Sequence, residues 1–124
     1  MQAVTSSTLP PPGGPYSQAI IVNGMVYTAG QIATVPTTGA LAEGGIQAQT
    51  RQVLENVRAV LEAAGSGLNK VVKTTVFLQN MDDFATMNEV YGSFFPEKPP
   101  ARTTVEVARL PRNALIEIET IAIV

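Results

Sequence analysis

The chain has 124 residues, which suits one domain over residues 1–124 and leaves no room for two. Hydrophobic residues make up 45% and charged residues 15%, enough apolar material for a core and few enough charges to suggest surface hidden in an oligomer. With a net charge of −2, no Cys and no His, the composition excludes disulfides, thiolate nucleophiles, Ser-His and Cys-His triads, and zinc sites built on His or Cys.

No run of Lys and Arg appears, which argues against nucleic acid and anionic membranes as partners. No apolar run approaches the ~18 residues of a spanning helix. The first residues carry neither a signal-type apolar stretch nor an Arg-rich amphipathic segment. The expected compartment is the cytoplasm, or the mitochondrion if a targeting segment has been removed.

Residues 1–15 form an extended N-terminal segment. Its Pro- and Gly-rich second half, from Leu9 to Pro15, has little capacity for regular structure. Apolar runs at 19–22 and 25–29 flank Asn23-Gly24, a strong hairpin signal because both residues tolerate positive φ. Residues 34–45 read as a loop. Ile46, Val53, Leu54, Val57, Val60, Leu61 and Ala64 then share one helical face, which Gly65-Ser66-Gly67 ends. Residues 71–78 are rich in β-branched side chains and predict a strand. A second helix is expected over 83–94, capped by Asp82 or Asp83, with Phe84, Met87, Tyr91 and Phe94 as its apolar stripe. After Pro96, Pro99 and Pro100 come two strands, 101–107 and 115–124.

The order β-β-α-β-α-β-β, with room for a short extra strand at the start, predicts an α+β sheet with both helices on one face. The last strand is apolar on both faces, with Ile116, Ile118 and Ala122 alternating with Ile121 and Ile123. A solvated face would alternate to polar, so the second face needs a partner, most simply another copy of the chain.

Arg102, at the start of a predicted strand behind Pro99-Pro100, is the first candidate for chemistry. It shares a strand face with Thr104 and Glu106, and is either a ligand-binding guanidinium, a surface cation, or a partner of Glu106. Glu117 and Glu119 lie among aliphatics, where carboxylates are costly unless bonded. They mark either an exposed strand end or a cleft. Tyr16 either closes a pocket or packs in its loop. Gly30 either admits a ligand close to the backbone or marks a bulge. Asn88, beside the stripe of the second helix, reads as a solvated residue on its own. Asp82-Asp83 suits helix capping better than metal binding, since no third ligand is evident.

Longer motifs add to these residues. Gly14-Pro15-Tyr16-Ser17-Gln18-Ala19, Tyr27-Thr28-Ala29-Gly30-Gln31-Ile32 and Val72-Lys73-Thr74-Thr75-Val76-Phe77-Leu78 occur in order. They are followed by Asp83-Phe84 to Asn88, Pro100-Ala101-Arg102-Thr103-Thr104-Val105-Glu106-Val107-Ala108-Arg109-Leu110-Pro111, and Ile116-Glu117-Ile118-Glu119. From about residue 10 to the end the chain resembles the RidA (YjgF) family. The resemblance implies a chorismate-mutase-like (ferredoxin-like) α+β fold, a homotrimer with clefts between subunits, and no metal or cofactor. It implies hydrolysis of 2-imino acids, such as 2-iminopropanoate and 2-iminobutanoate and their enamine tautomers, to 2-keto acids and ammonia. By motif position, Arg102 binds the substrate carboxylate and Glu117 positions water, while Tyr16, Gly30, Asn88 and Thr104 line the site. Many members carry Ser at the position of Ala29 and Cys at that of Thr104, departures that bear on substrate preference. The rival expectations are a non-catalytic module that binds small carboxylates and an RNA-cleaving translation inhibitor. Few aromatics and no basic stripe support the latter poorly.

Overall fold

The computed structural model describes residues 1–124. Its strands are β1 (Gln2–Val4), β2 (Ala19–Val22), β3 (Met25–Thr28), β4 (Val71–Leu78), β5 (Ala101–Glu106) and β6 (Ile116–Ile123). The helices are α1 (Gly45–Ala63) and α2 (Phe84–Phe94). One six-stranded sheet runs in the order β1-β2-β3-β6-β4-β5. All neighbours are antiparallel except β4 and β5, whose parallel pairing requires the crossover through α2. The short extra strand at the start is β1, paired with β2. The Gln18 side chain pins the rest of that segment, accepting from the Ser6 N–H at 2.6 Å and donating to the Pro10 carbonyl at 3.0 Å.

The local signals act as their chemistry requires. Asn23 (φ 50°) and Gly24 (φ 74°) both take the left-handed conformation, the geometry of a two-residue turn whose twist matches its strands. α1 ends in a Schellman motif. Gly65, at φ 80°, donates to the Glu62 carbonyl and the Ser66 N–H to that of Leu61. The entry to α2 differs from expectation. Asp83 makes no side-chain cap bond. Instead Asn80 accepts the Asp82 N–H at 2.9 Å, capping a 3-10 turn (Met81–Asp83) that leads into the helix.

Both helices pack on one sheet face. Val26, Val76, Leu78, Ile116, Ile118 and Ala122 of the sheet and Val53, Leu54, Val57, Val60, Leu61 and Met87 of the helices are fully buried there. Each large aliphatic side chain contributes roughly 1.5–3 kcal/mol on burial. The stripe of α2 is narrower than predicted: Met87, Val90 and Tyr91 are buried, but Phe84 stays 36% exposed.

The other sheet face has no helix. Register places Ile20, Tyr27, Ile121, Glu117, Glu119, Phe77 and Val105 on it. Tyr27 is 45% and Val105 38% exposed, so exposed apolar side chains occur on this face beyond the last strand, interspersed with Lys73, Thr75, Glu117 and Glu119.

Candidate functional site

The predicted residues fall into two groups on opposite faces of the sheet. Arg102, Thr104 and Glu106 pair in register with Thr74, Val76 and Leu78, which face the helices. Glu117 pairs with Phe77 and faces the open side.

The first group lies between the edge strand β5 and α2. Phe84, Asn88 and Tyr91 stand at i, i+4 and i+7, one face of the helix. The half-buried Arg102 guanidinium packs against two of them, its Cζ 4.8 Å from the Tyr91 ring centroid and 5.4 Å from that of Phe84. Its nearest polar partner is the Met87 Sδ at 4.0 Å. No carboxylate pairs with it, because the single ion pair of the chain is Arg58–Glu55. Glu106, the alternative partner, instead accepts the Met81 N–H at 2.8 Å. Two neighbouring polar atoms, Asn88 Oδ1 and Thr104 Oγ1, are buried without a hydrogen-bond partner. Such orphans are rare because each costs about 1–3 kcal/mol. An unpaired cation and, two residues along its strand, a hydroxyl free to donate make a receptor for a small anion, whereas the Asn88 amide oxygen is an acceptor that calls for a donor. Asn88 is therefore no solvated helix residue.

The second group gathers around β6. Beyond β3 the chain continues alongside β6, with Gln31 and Ile118 exchanging backbone bonds of 2.9 and 3.1 Å. This brings Gly30 against Glu117. A Cβ added at Gly30 would stand 2.8 Å from the Glu117 Cδ, so only glycine leaves the carboxylate its place. Burial raises the pKa of Glu117 above its ordinary value, and repulsion from Glu119 raises it further. The carboxylate has no cationic partner. Glycine is present here for the side chain it lacks, and what approaches it is a carboxylate of the same chain rather than a ligand.

Tyr16 joins this second group. It is 55% exposed, and its hydroxyl accepts the Gly13 N–H at 3.4 Å. With Gly30, Pro11, Gln31 and Arg112 it lines a cavity of about 540 Å³ that includes neither Arg102 nor Glu117. No cluster of three or more His, Cys, Asp or Glu side chains could hold a metal ion, and no helix is long and apolar enough to cross a membrane.

Three residues around Arg102 escaped the sequence reading. Phe84 and Tyr91 were assigned to the core stripe and Thr74 to a plain strand, yet the Thr74 hydroxyl lies 2.7 Å from that of Tyr91, next to the guanidinium. The available signal was the i, i+4, i+7 spacing that puts Phe84 and Tyr91 on either side of Asn88.

Residues 6–124 match the family described as endoribonuclease L-PSP. The chain is 54% identical to the RutC family protein PH0854 of Pyrococcus horikoshii, over 98% of this chain and 96% of that one. It is 49% identical to the 2-iminobutanoate/2-iminopropanoate deaminase of Salmonella typhimurium, over 98% and 97%. Its fold superposes on the YjgF gene product of E. coli with a TM-score of 0.94 at 44% identity, over 99% of this chain and 98% of that one. The chain therefore belongs to the endoribonuclease L-PSP family, the YjgF/RidA family whose motifs it carries.

Proposed function

We propose that this protein is a 2-iminobutanoate/2-iminopropanoate deaminase, working in the cytoplasm as a homotrimer with its active sites between subunits. The observation that carries the reading is the half-buried Arg102 guanidinium, packed against Tyr91 and Phe84 without a counter-ion, with the unpartnered Thr104 hydroxyl two residues along the same strand.

In this mechanism Arg102 takes the substrate carboxylate through two parallel N–H···O bonds, worth roughly 1.5–3 kcal/mol each. Glu117 holds a water against the imine carbon and accepts a proton as the water's oxygen bonds to that carbon. That proton passes to the nitrogen to give the carbinolamine; its hydroxyl then gives up its own proton to the nitrogen as C=O forms and the C–N bond breaks, so that ammonia leaves a 2-keto acid behind. The raised pKa of Glu117 brings it closer to the range of a useful proton carrier. Imines hydrolyse readily, so a site with no stronger base suffices.

Arg102 and Glu117 lie on opposite faces of one sheet, which favours a site shared by two chains. The apolar open face offers the surface for that contact, with Tyr27, Val105 and Ile123 exposed. Ammonia and pyruvate release from freshly generated 2-iminopropanoate, measured alongside solution mass, tests the reading. Mixing gives a sharper test. Arg102→Ala and Glu117→Gln chains, each strongly impaired alone, should regain activity when unfolded and refolded together, because about a quarter of the clefts then carry both intact residues. A mixture as inactive as its components overturns the shared site, and a parent without imine hydrolysis overturns the reaction. RNA cleavage that survives Arg102→Ala would favour the nuclease alternative.

A further inference from the structure

A cation can be held in place by an anion or by aromatic rings, and the two have different consequences for a binding site. A carboxylate partner would fix Arg102 but occupy the N–H fork that a substrate needs. Ring faces attract the cation through their quadrupole and leave the hydrogen-bonding edge of the guanidinium free. Arg102 is held in the second way, by Tyr91 and Phe84.

The rings are in turn fixed. Thr74 is the register partner of Arg102 on the neighbouring strand, and both side chains face α2. The Thr74 and Tyr91 hydroxyls share a buried 2.7 Å hydrogen bond, so the strand that aligns Arg102 also anchors the ring packed against it. Tyr91 stacks further against Phe95, with ring centroids 4.8 Å apart. Burial raises the pKa of the phenol by more than Thr74 and Arg102 lower it, so Tyr91 stays neutral and does not become a counter-ion.

We propose that Thr74, Tyr91 and Phe84 are positioning residues that present the hydrogen-bonding edge of Arg102 to the substrate carboxylate. The proposal deepens the imino-acid reading and rests on it. The cage holds the cation's direction and leaves its charge uncompensated until a carboxylate arrives.

The test uses the full-length protein, with pyruvate as a carboxylate probe for affinity and 2-iminopropanoate for kcat and KM. Tyr91→Leu should raise the pyruvate Kd and the imine KM about tenfold, with little change in kcat. Tyr91→Phe keeps the ring and should restore about half of that loss on the free-energy scale. It and Thr74→Val should each weaken pyruvate about threefold, and the double variant should be no worse than either, since all three break one bond. Phe84→Leu, on a partly exposed ring, should cost about threefold. The Thr74→Val and Tyr91→Phe cycle is nearly isosteric and decides the matter even if Tyr91→Leu fails to fold. Parent-like affinity in folded Tyr91→Leu, or losses that multiply in the double variant, overturn the cage. So does a parent that binds no pyruvate. The failure of the deaminase reading is separate, since it appears as absent imine hydrolysis in a parent whose pyruvate affinity still responds to the cage.

Discussion

On β5 a cation sits among aromatic rings, and on β6 a carboxylate sits beside a second carboxylate. Both charges lack an opposite charge within the chain, but each is held differently. Arg102 is fixed from the side by rings and a hydroxyl bond, and its charge is stabilised where it stands. Glu117 is fixed by space, since the missing side chain of Gly30 makes room for it, and its charge is disfavoured where it stands. The difference matches a division of labour. A binding group should remain ionised and directed, whereas a proton carrier should exchange its proton readily.

The most severe way to break this comparison is Arg102→Ala. Losing two charge-assisted bonds should lower kcat/KM by about 10²–10⁴-fold. The thermal transition should hardly move, because no ion pair is lost; a large drop in Tm would mean that the arginine is structural. Lys at this position should rescue only part of the loss, since an ammonium cannot form the fork.

Glu117→Gln comes next, with a fall in kcat of about 10²-fold and nearly unchanged pyruvate affinity. Its pH dependence has a definite sign. In the proposed mechanism the working form is the carboxylate, so activity should fall as pH drops through a value above the ordinary 4.5. Glu119→Gln removes the like charge and should move this acid limb to lower pH, and an unmoved limb would separate Glu117 from the pH profile. The same shift links to stability. The unfolded chain ionises at the ordinary value while the folded chain resists, so Glu117 destabilises the fold once pH rises through that window. Glu117→Gln should therefore raise Tm near neutral pH but not at about pH 3, where both states are protonated.

Gly30→Ala should sharpen the contrast. The new Cβ displaces the Glu117 carboxylate, a flexible group, so kcat should fall about tenfold with little loss of stability or pyruvate affinity. The smallest effect belongs to Thr104→Val. Replacing an unpartnered buried hydroxyl with a methyl should add about 1 kcal/mol of stability while weakening substrate about threefold. If Tm falls instead, the hydroxyl has a partner in the assembled protein.

Much of this was legible in the chain. Asn23-Gly24, the period of α1 and the β-branched run of β4 each carry their own local chemistry, and each appears where it was expected. The motifs shared with the family point to Arg102 and Glu117 as candidates. Their separation was not legible. Alternation along β5 and β6 tells which residues share a face within one strand, but not which face the helices cover; that depends on long-range pairing in the order β3-β6-β4-β5. The entry to α2 was not legible because Asn80, Asp82 and Asp83 all offer a side-chain oxygen, and only the backbone path makes Asn80 cap a 3-10 turn ahead of the helix. Phe84 looked like core because an aromatic at helical spacing usually is; its ring instead lies against a guanidinium from another element.

The position of β6 has a consequence for how the chain comes to be folded. It follows every other strand in sequence, yet it lies between β3 and β4 and is the only strand that joins the hairpin side of the sheet to the crossover side. During synthesis those two sides must wait, with β3 and β4 each presenting an open edge of the kind that invites pairing with another nascent chain. A message truncated before Ile116 would leave β3 and β4 without the strand that pairs with both, so the segment that completes the sheet also carries the residue to which the proposed mechanism gives the proton.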